Sequence, residues 1–148
     1  MMRQNKGFSL LELMMVVAII AIFAAIAVPT FSSWSPRLKF RTSADELHKV
    51  LMLARMTAIS SNRDVTVTFD QVNGTYEVAF PTGTEAYELP EGVHFSALAS
   101  DTITYSPTGQ ADINLDIMMY SSSPKVIDNK RKLAVRAVTG LVKISKGW

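Results

Sequence analysis

The strongest pattern in the sequence is KGFSLLELMMVVAIIAIFAAIAV, residues 6–28. Every residue from Leu13 to Val28 is apolar, and no charged residue recurs before Arg37. As a helix that rises 1.5 Å per residue, residues 13–36 would span roughly 36 Å, enough to cross a bilayer core of about 30 Å. Apolar side chains point in every direction around such a helix. It must therefore be surrounded by lipid or by other helices.

One acidic residue, Glu12, interrupts the apolar character near the start of this segment. The basic residues Arg3 and Lys6 precede it, a flank that would also suit a secretory signal peptide or a plain membrane anchor. Neither of those segments needs a carboxylate, because an anion costs about 2–3 kcal/mol near the bilayer centre. Taken alone, Glu12 would also fit an interfacial residue that reaches toward headgroups.

The order of residues around Glu12 resembles the N-terminal signature of type IV prepilins, a family of pilins and type II secretion pseudopilins. The basic leader, Gly7, Phe8, a small polar residue, two aliphatic residues and the acid all match. The resemblance implies that prepilin peptidase cleaves between Gly7 and Phe8 and that the new Phe8 amine is methylated. It also implies that Glu12 serves subunit assembly, by pairing with the Phe8 amine of a neighbouring subunit and setting the register between them.

The same resemblance implies how the chain is divided. Residues 1–7 would be the prepilin leader, residues 8–36 a transmembrane and filament-core helix, and residues 37–148 a periplasmic globular domain. The basic leader would stay on the cytoplasmic side, so the chain would cross the inner membrane once before it enters a pilus or pseudopilus. Pro29 lies within the helix and predicts a kink, although it would alternatively end the anchor.

An amphipathic helix is predicted after residue 36, because apolar residues recur at spacings of three and four. Thr42 or Ser43 would cap it, with Glu46 completing a capping box, unless both halves form one long helix as in pilins. Ser60-Ser61-Asn62 would end it. The predicted apolar face comprises Leu47, Val50, Leu51, Ala54 and Ala58, with Leu53 as a further candidate.

The remaining chain alternates between strand and turn patterns. Asn73-Gly74 is the strongest hairpin signal, and the residues around Pro81 and Gly83 indicate a loop. The predicted class is α+β, with a long N-terminal helix packed on an antiparallel β-sheet, as in type IV pilins. Strands are expected at residues 65–69, 75–80, 93–95, 102–106, 113–119, 133–138 and 141–145.

A second resemblance lies in the C-terminal half. ITYSPTGQA, residues 103–111, and LAVRAVTGLVKIS, residues 133–145, are similar to the GspH/FimT group of minor pilins and pseudopilins. This implies a structural subunit of a type II secretion pseudopilus or a type IV pilus, which supports protein secretion or pilus assembly with other pilins as partners. DNA-receptor members of the group carry an arginine-rich element after the last glycine, whereas Gly140 is followed by Leu-Val-Lys.

Charge is segregated along the chain, although the formal net charge is only +2. Residues 64–124 hold nine acids and no base, and residues 125–148 hold seven bases and one acid. These blocks would cancel within one molecule, meet between stacked subunits, or offer an anion patch to DNA or acidic lipid. A DNA-binding minor pilin for transformation is therefore an alternative function, as is a major pilus subunit. The candidate patch comprises Lys130, Arg131, Lys132, Arg136, Lys143 and Lys146.

No catalytic motif is present in the sequence, and we expect a protein that is not an enzyme and has no cofactor or metal. The chain has no cysteine and two histidines, which excludes thiolate chemistry and a multi-histidine metal site. We expect His48 on a solvated helix face, and His94 either pointing outward from a strand or pairing with a nearby acid. Asp112, Asn114 and Asp116 alternate with apolar residues, which favours a half-buried strand over a calcium loop.

Overall fold

The computed structural model describes residues 10–147, except for the side chains of residues 25–34. Contacts divide the chain into two compact units, Met1–Ser35 and Pro36–Trp148. One helix, α1 (Leu10–Ser61), contributes to both units. The predicted leader, with the cleavage and methylation positions Gly7 and Phe8, lies outside the described residues.

In the first unit, all the side chains of residues 10–24 are exposed. Within the described part of the chain, no helical segment is both long enough and apolar enough to cross a membrane. Pro29 is part of α1, but its side chain is outside the described set, so the kink there stays a prediction. The assignment of residues 8–36 to a transmembrane helix also stays a prediction.

The two predicted helical patterns belong to one continuous helix, so the separate capping box at Thr42 or Ser43 is wrong. Ser43 is buried within α1, and its hydroxyl donates to the carbonyl oxygen of Lys39 at 2.6 Å. Its hydroxyl is satisfied inside the helix rather than at an N-terminus. The predicted end is confirmed, because Asn62 adopts a φ of 52°, a left-handed conformation that often terminates helices.

The buried face of α1 in the second unit is the one that the apolar spacing predicts. Leu53 is the exception, being 48% exposed, because it lies roughly 120° around the helix from the centre of that face. Two residues nearer the start of the unit extend the buried face. Its buried apolar members are Phe40, Ala44, Leu47, Val50, Leu51, Ala54 and Ala58.

The strands form two four-stranded antiparallel sheets, so the α+β class is confirmed, with the strands distributed over two sheets. In the described residues the strands are β1 (Val65–Asp70), β2 (Thr75–Phe80), β3 (Gly83–Glu88), β4 (Val93–Phe95), β5 (Thr102–Tyr105), β6 (Leu115–Ser121), β7 (Lys130–Val135) and β8 (Val142–Lys146). The first sheet has the order β3-β2-β1-β5 and the second β4-β6-β7-β8. Buried residues of both sheets and of α1 form one apolar core.

The predicted hairpin at Asn73-Gly74 is confirmed between β1 and β2, which pair from Thr66↔Ala79 to Asp70↔Thr75. Asp70 organises the turn, since its Oδ1 accepts hydrogen bonds from the backbone N–H groups of Val72 and Asn73, each at 3.0 Å. Hydrogen bonds to Asp70 favour the ionised carboxylate and lower its pKa. The backbone and side-chain bonds from Asn73 have the largest effects.

The prediction of a loop around Pro81 and Gly83 is wrong for the residues that form β3. This strand pairs with the whole of β2, from Thr75↔Glu88 to Phe80↔Gly83. Its side chains are nearly all exposed, so an edge strand of this kind carries no alternating apolar signal. β7 also begins and ends earlier than predicted, because the basic residues 130–132 pair with β6.

Candidate assembly surfaces

The first turn of the described helix places Glu12 among exposed apolar side chains. Its neighbour Leu13 is 60% exposed, and the leucines and methionines around it are similarly uncovered. A continuous exposed apolar surface of this kind marks an interface with lipid or with another protein. Once such an interface closes over Glu12, the carboxylate requires a cationic or hydrogen-bonding partner inside it.

Five of the six basic residues of the candidate anion patch lie on β7 and β8, on two faces of the second sheet, and Arg136 follows the end of β7. Arg131 pairs with Lys146 across β7 and β8, and these two side chains lie on the side of the sheet that faces α1. The Arg131 guanidinium lies 5.6 Å from the centre of the buried Phe40 ring. Lys132 and Lys143 lie on the opposite face, because successive side chains of a strand alternate. The sequence block therefore does not form one continuous basic surface.

Four of these six bases form ion pairs with two carboxylates of the same sheet and its loop. Positive and negative side chains therefore neutralise one another in part within one molecule, which is one of the alternatives predicted from the sequence. The four contacts are Lys132 Nζ–Asp116 Oδ2 at 2.7 Å, Arg136 Nη1–Asp116 Oδ1 at 3.7 Å, Arg131 Nη1–Asp128 Oδ1 at 2.9 Å and Lys146 Nζ–Asp128 Oδ2 at 3.8 Å.

The acids of the first sheet have no such compensation. Among the described residues, Glu77, Glu85 and Glu88 of β2 and β3 form no ion pair. Glu85 instead accepts a hydrogen bond from the Tyr87 hydroxyl at 2.6 Å, and this bond raises the pKa of Tyr87 to about 12. The exposed edge of β3 therefore presents net negative charge.

The two glycine turns of the GspH/FimT resemblance meet in the structure. Gly109 and Gly140 have φ angles of 78° and 61°. A Cβ atom on Gly140 would lie 1.9 Å from the carbonyl oxygen of Gly109, so only glycine fits. Arg55 Nε donates to that same carbonyl at 2.9 Å and ties α1 to both turns. The sequence analysis did not predict this contact. The repeated Thr-Gly pair is the sequence pattern that could have indicated it.

The two histidines have different surroundings. The solvated position predicted for His48 is wrong, because the residue is half-buried and its Nε2 lies 3.2 Å from the carbonyl oxygen of Val142. His94 is exposed on β4, as predicted, and its ring centre lies 5.3 Å from that of Tyr120. The two residues lie on different elements and serve as packing groups.

The polar trio Asp112, Asn114 and Asp116 holds separate segments together. Asp112 Oδ1 accepts from the backbone N–H of Thr104 and Asn114 Oδ1 from that of Ala137, each at 3.0 Å. Asp116 lies on β6 and pairs with bases, as described above. The described residues contain no group of three or more acidic or histidine side chains that could hold a metal ion.

Comparison with known families gives two matches along the chain. Residues 2–28 match the prokaryotic N-terminal methylation motif, and residues 43–138 match the type II transport protein GspH. A fimbrial protein of Pseudomonas aeruginosa is 34% identical over 83 residues, which are 56% of this chain and 53% of that protein. The chain thus spans about half the length of the curated relatives it matches.

Solved structures show the same fold. The minor pseudopilin EpsH from the type 2 secretion system of Vibrio cholerae has a TM-score of 0.59 at 14% identity, covering 73% of this chain and 97% of that one. The type IV minor pilin FimU of Pseudomonas aeruginosa has a TM-score of 0.62 at 13% identity, covering 76% and 92%. The resemblances seen in the sequence are confirmed: the chain has a type IV pilin-like fold and belongs to the family of the type II transport protein GspH.

Proposed function

We propose that this chain is a structural minor pilin or pseudopilin subunit of a type II secretion pseudopilus or a type IV pilus. The observation that carries this proposal is the presence of a methylation motif and a GspH domain in one chain. The exposed apolar side chains of residues 10–24 support it, because they need a cover from outside the chain. The family and fold are those of filament subunits rather than of enzymes.

The subunit would first be anchored in the inner membrane by residues 8–36, with residues 37–148 in the periplasm. Prepilin peptidase would then cleave between Gly7 and Phe8, and the new amine would be methylated. The same apolar surface that contacts lipid before assembly would contact neighbouring helices afterwards. This exchange explains why a single segment can serve as both anchor and filament core, since both environments are apolar.

Glu12 would align neighbouring subunits during this exchange. A carboxylate that is buried without a partner costs several kcal/mol, so wrongly aligned subunits would be disfavoured. Cleavage creates a cationic amine at Phe8, four residues before Glu12. Pairing between that amine and Glu12 of a neighbour would neutralise both charges in one register only.

The variant Glu12→Gln tests this role, because it keeps the shape of the side chain and removes its charge. We expect normal cleavage, measured by intact mass, and at least a tenfold loss of the subunit from sheared filaments. Glu46→Gln is the matched control, since Glu46 is an exposed acid of the same helix in the globular unit. Normal incorporation of Glu12→Gln would contradict the pairing role.

The DNA-receptor alternative receives less support from the geometry, because four of the six candidate bases already form ion pairs. Phosphate binding by this patch would have to compete with those carboxylates. A gel-shift titration of duplex DNA at low salt tests the alternative directly. We expect no shifted band at micromolar protein, and a salt-dependent shift would restore DNA binding as a function.

A further inference from the structure

The loop between β6 and β7, residues 122–129, is fixed to the start of the globular unit. Arg37 Nε donates to the carbonyl oxygen of Lys125 at 2.8 Å, across 88 positions of the chain. Val126 is buried beside this contact, whereas the next residue, Ile127, is 85% exposed. The loop therefore holds one aliphatic side chain in solvent by burying its neighbour.

A groove of about 230 Å³ lies beside Ile127 and has an apolar floor with a basic rim. Phe40 and Val126 contribute to the floor, and Arg37, Arg41 and Arg131 line the groove. Asp128 also lines it and pairs with Arg131. Lys125 is exposed on the same loop. We call Arg37, Arg41, Lys125, Ile127 and Arg131 the basic loop surface. Its four bases outnumber two neighbouring acids, Asp128, which pairs with the mostly buried Arg131, and Asp45, which lines an adjacent groove with Arg41.

The basic loop surface includes the first charged residue that follows the apolar run of the helix. Arg37 is the first charged residue after Glu12, and it follows the apolar run directly. Arg37 is also the second residue of the compact unit Pro36–Trp148. If residues 8–36 lie in the bilayer, as the proposed function requires, then the helix enters the globular unit at the level of the lipid headgroups.

We propose that the basic loop surface binds the anionic phospholipid headgroups of the inner membrane, with Ile127 inserted at the boundary of the acyl chains. A protruding aliphatic residue surrounded by cations suits such an interface, because the apolar group leaves water while the bases remain among phosphates. Arginine forks bind phosphate oxygens with two parallel hydrogen bonds. This contact holds the globular unit against the bilayer until the subunit is drawn into a filament.

The absence of cysteine from the chain permits a direct test with one introduced label. Full-length Ile127→Cys carries an environment-sensitive fluorophore in nanodiscs of phosphatidylcholine with 30% phosphatidylglycerol, doped with a spin-labelled quencher lipid. Val72→Cys is the matched control, because Val72 is 94% exposed on the β1–β2 hairpin. We expect at least threefold stronger quenching at position 127 than at position 72, and a decrease toward the control in phosphatidylcholine alone.

A charge reversal separates lipid binding from simple proximity. Lys125→Glu in the Ile127→Cys background keeps the backbone carbonyl that Arg37 binds, and we expect it to halve the quenching or more. Lys49→Glu, an exposed base elsewhere on α1, should leave it unchanged.

Three outcomes overturn the inference: equal quenching at positions 127 and 72, no effect of phosphatidylglycerol, or quenching that appears only when other pilin subunits are added. The last outcome would identify the surface as a protein interface. Co-elution of the chain with nanodiscs is scored separately. Its loss would refute the proposed membrane anchoring as well, whereas co-elution without quenching would refute the lipid contact alone.

Discussion

The two ends of α1 are both rich in apolar residues, but they differ in how far those residues are exposed to solvent. Residues 10–24 are all exposed and, apart from Glu12, apolar, whereas one face of the helix between Phe40 and Ala58 is apolar and buried against two sheets. The buried side chains near the end of α1 pack against other parts of the same chain. The exposed side chains near its start require contact with lipid or with another chain to leave water. One half of the helix therefore builds the domain, and the proposed function assigns the other half to assembly.

The largest effect is expected where the domain half meets the glycine turns. Gly140→Ala forces a Cβ atom against the Gly109 carbonyl and strains a left-handed residue, so it should reduce the free energy of unfolding by about 4 kcal/mol or more. Gly147→Ala is the control, since it has a similar φ but open space around its Cβ position. Denaturant unfolding of the full chain in detergent measures both, and equal losses would contradict the steric explanation.

A second pair of variants compares the buried half of α1 with its exposed half. Leu51 is fully buried, so Leu51→Ala should destabilise the globular unit by about 2–5 kcal/mol. Leu13→Ala should leave the unfolding of that unit unchanged and reduce recovery of the subunit in sheared filaments. If Leu13→Ala were the more destabilising substitution, the two halves of α1 would not have the separate roles described.

The smallest effect concerns the edge strand β3. The folded state favours neutral Tyr87, because its hydroxyl donates a hydrogen bond to Glu85, which raises the pKa of Tyr87 to about 12. The resulting stabilisation is complete below the ordinary tyrosine pKa near 10 and is lost as the pH rises from about 10 to about 12. Tyr87→Phe should remove the corresponding step from an ultraviolet titration and flatten the loss of stability in that range. A lost step near pH 10 rather than near pH 12 would show that the bond does not form.

Sequence patterns predicted the parts of the fold that local periodicity controls. The spacing of Leu47, Leu51 and Ala58 predicted the buried face of α1, because a helix repeats every 3.6 residues. The turn chemistry of Asn73-Gly74 likewise predicted the hairpin. The cap at Ser43 failed because the same residues can continue a helix, where Ser43 bonds to Lys39.

Other features depend on contacts between distant residues and leave no local pattern. β3 is recognisable only by its pairing with β2, since its exposed side chains do not alternate. The meeting of Gly109 with Gly140 and the bond from Arg37 to Lys125 join residues far apart in the chain. For the proposed assembly site, the prepilin-like order of residues carried the prediction, because the pairing role proposed for Glu12 would exist only in relation to another chain.

The most direct test of the central claim is the intact mass and N-terminal sequence of the chain recovered from sheared pili or pseudopili. Filament-derived protein should lack residues 1–7 and begin with N-methylated Phe8. Recovery in filaments with those seven residues still attached, or retention of the processed chain in membranes alone, would contradict the claim that the exposed half of α1 is an assembly element.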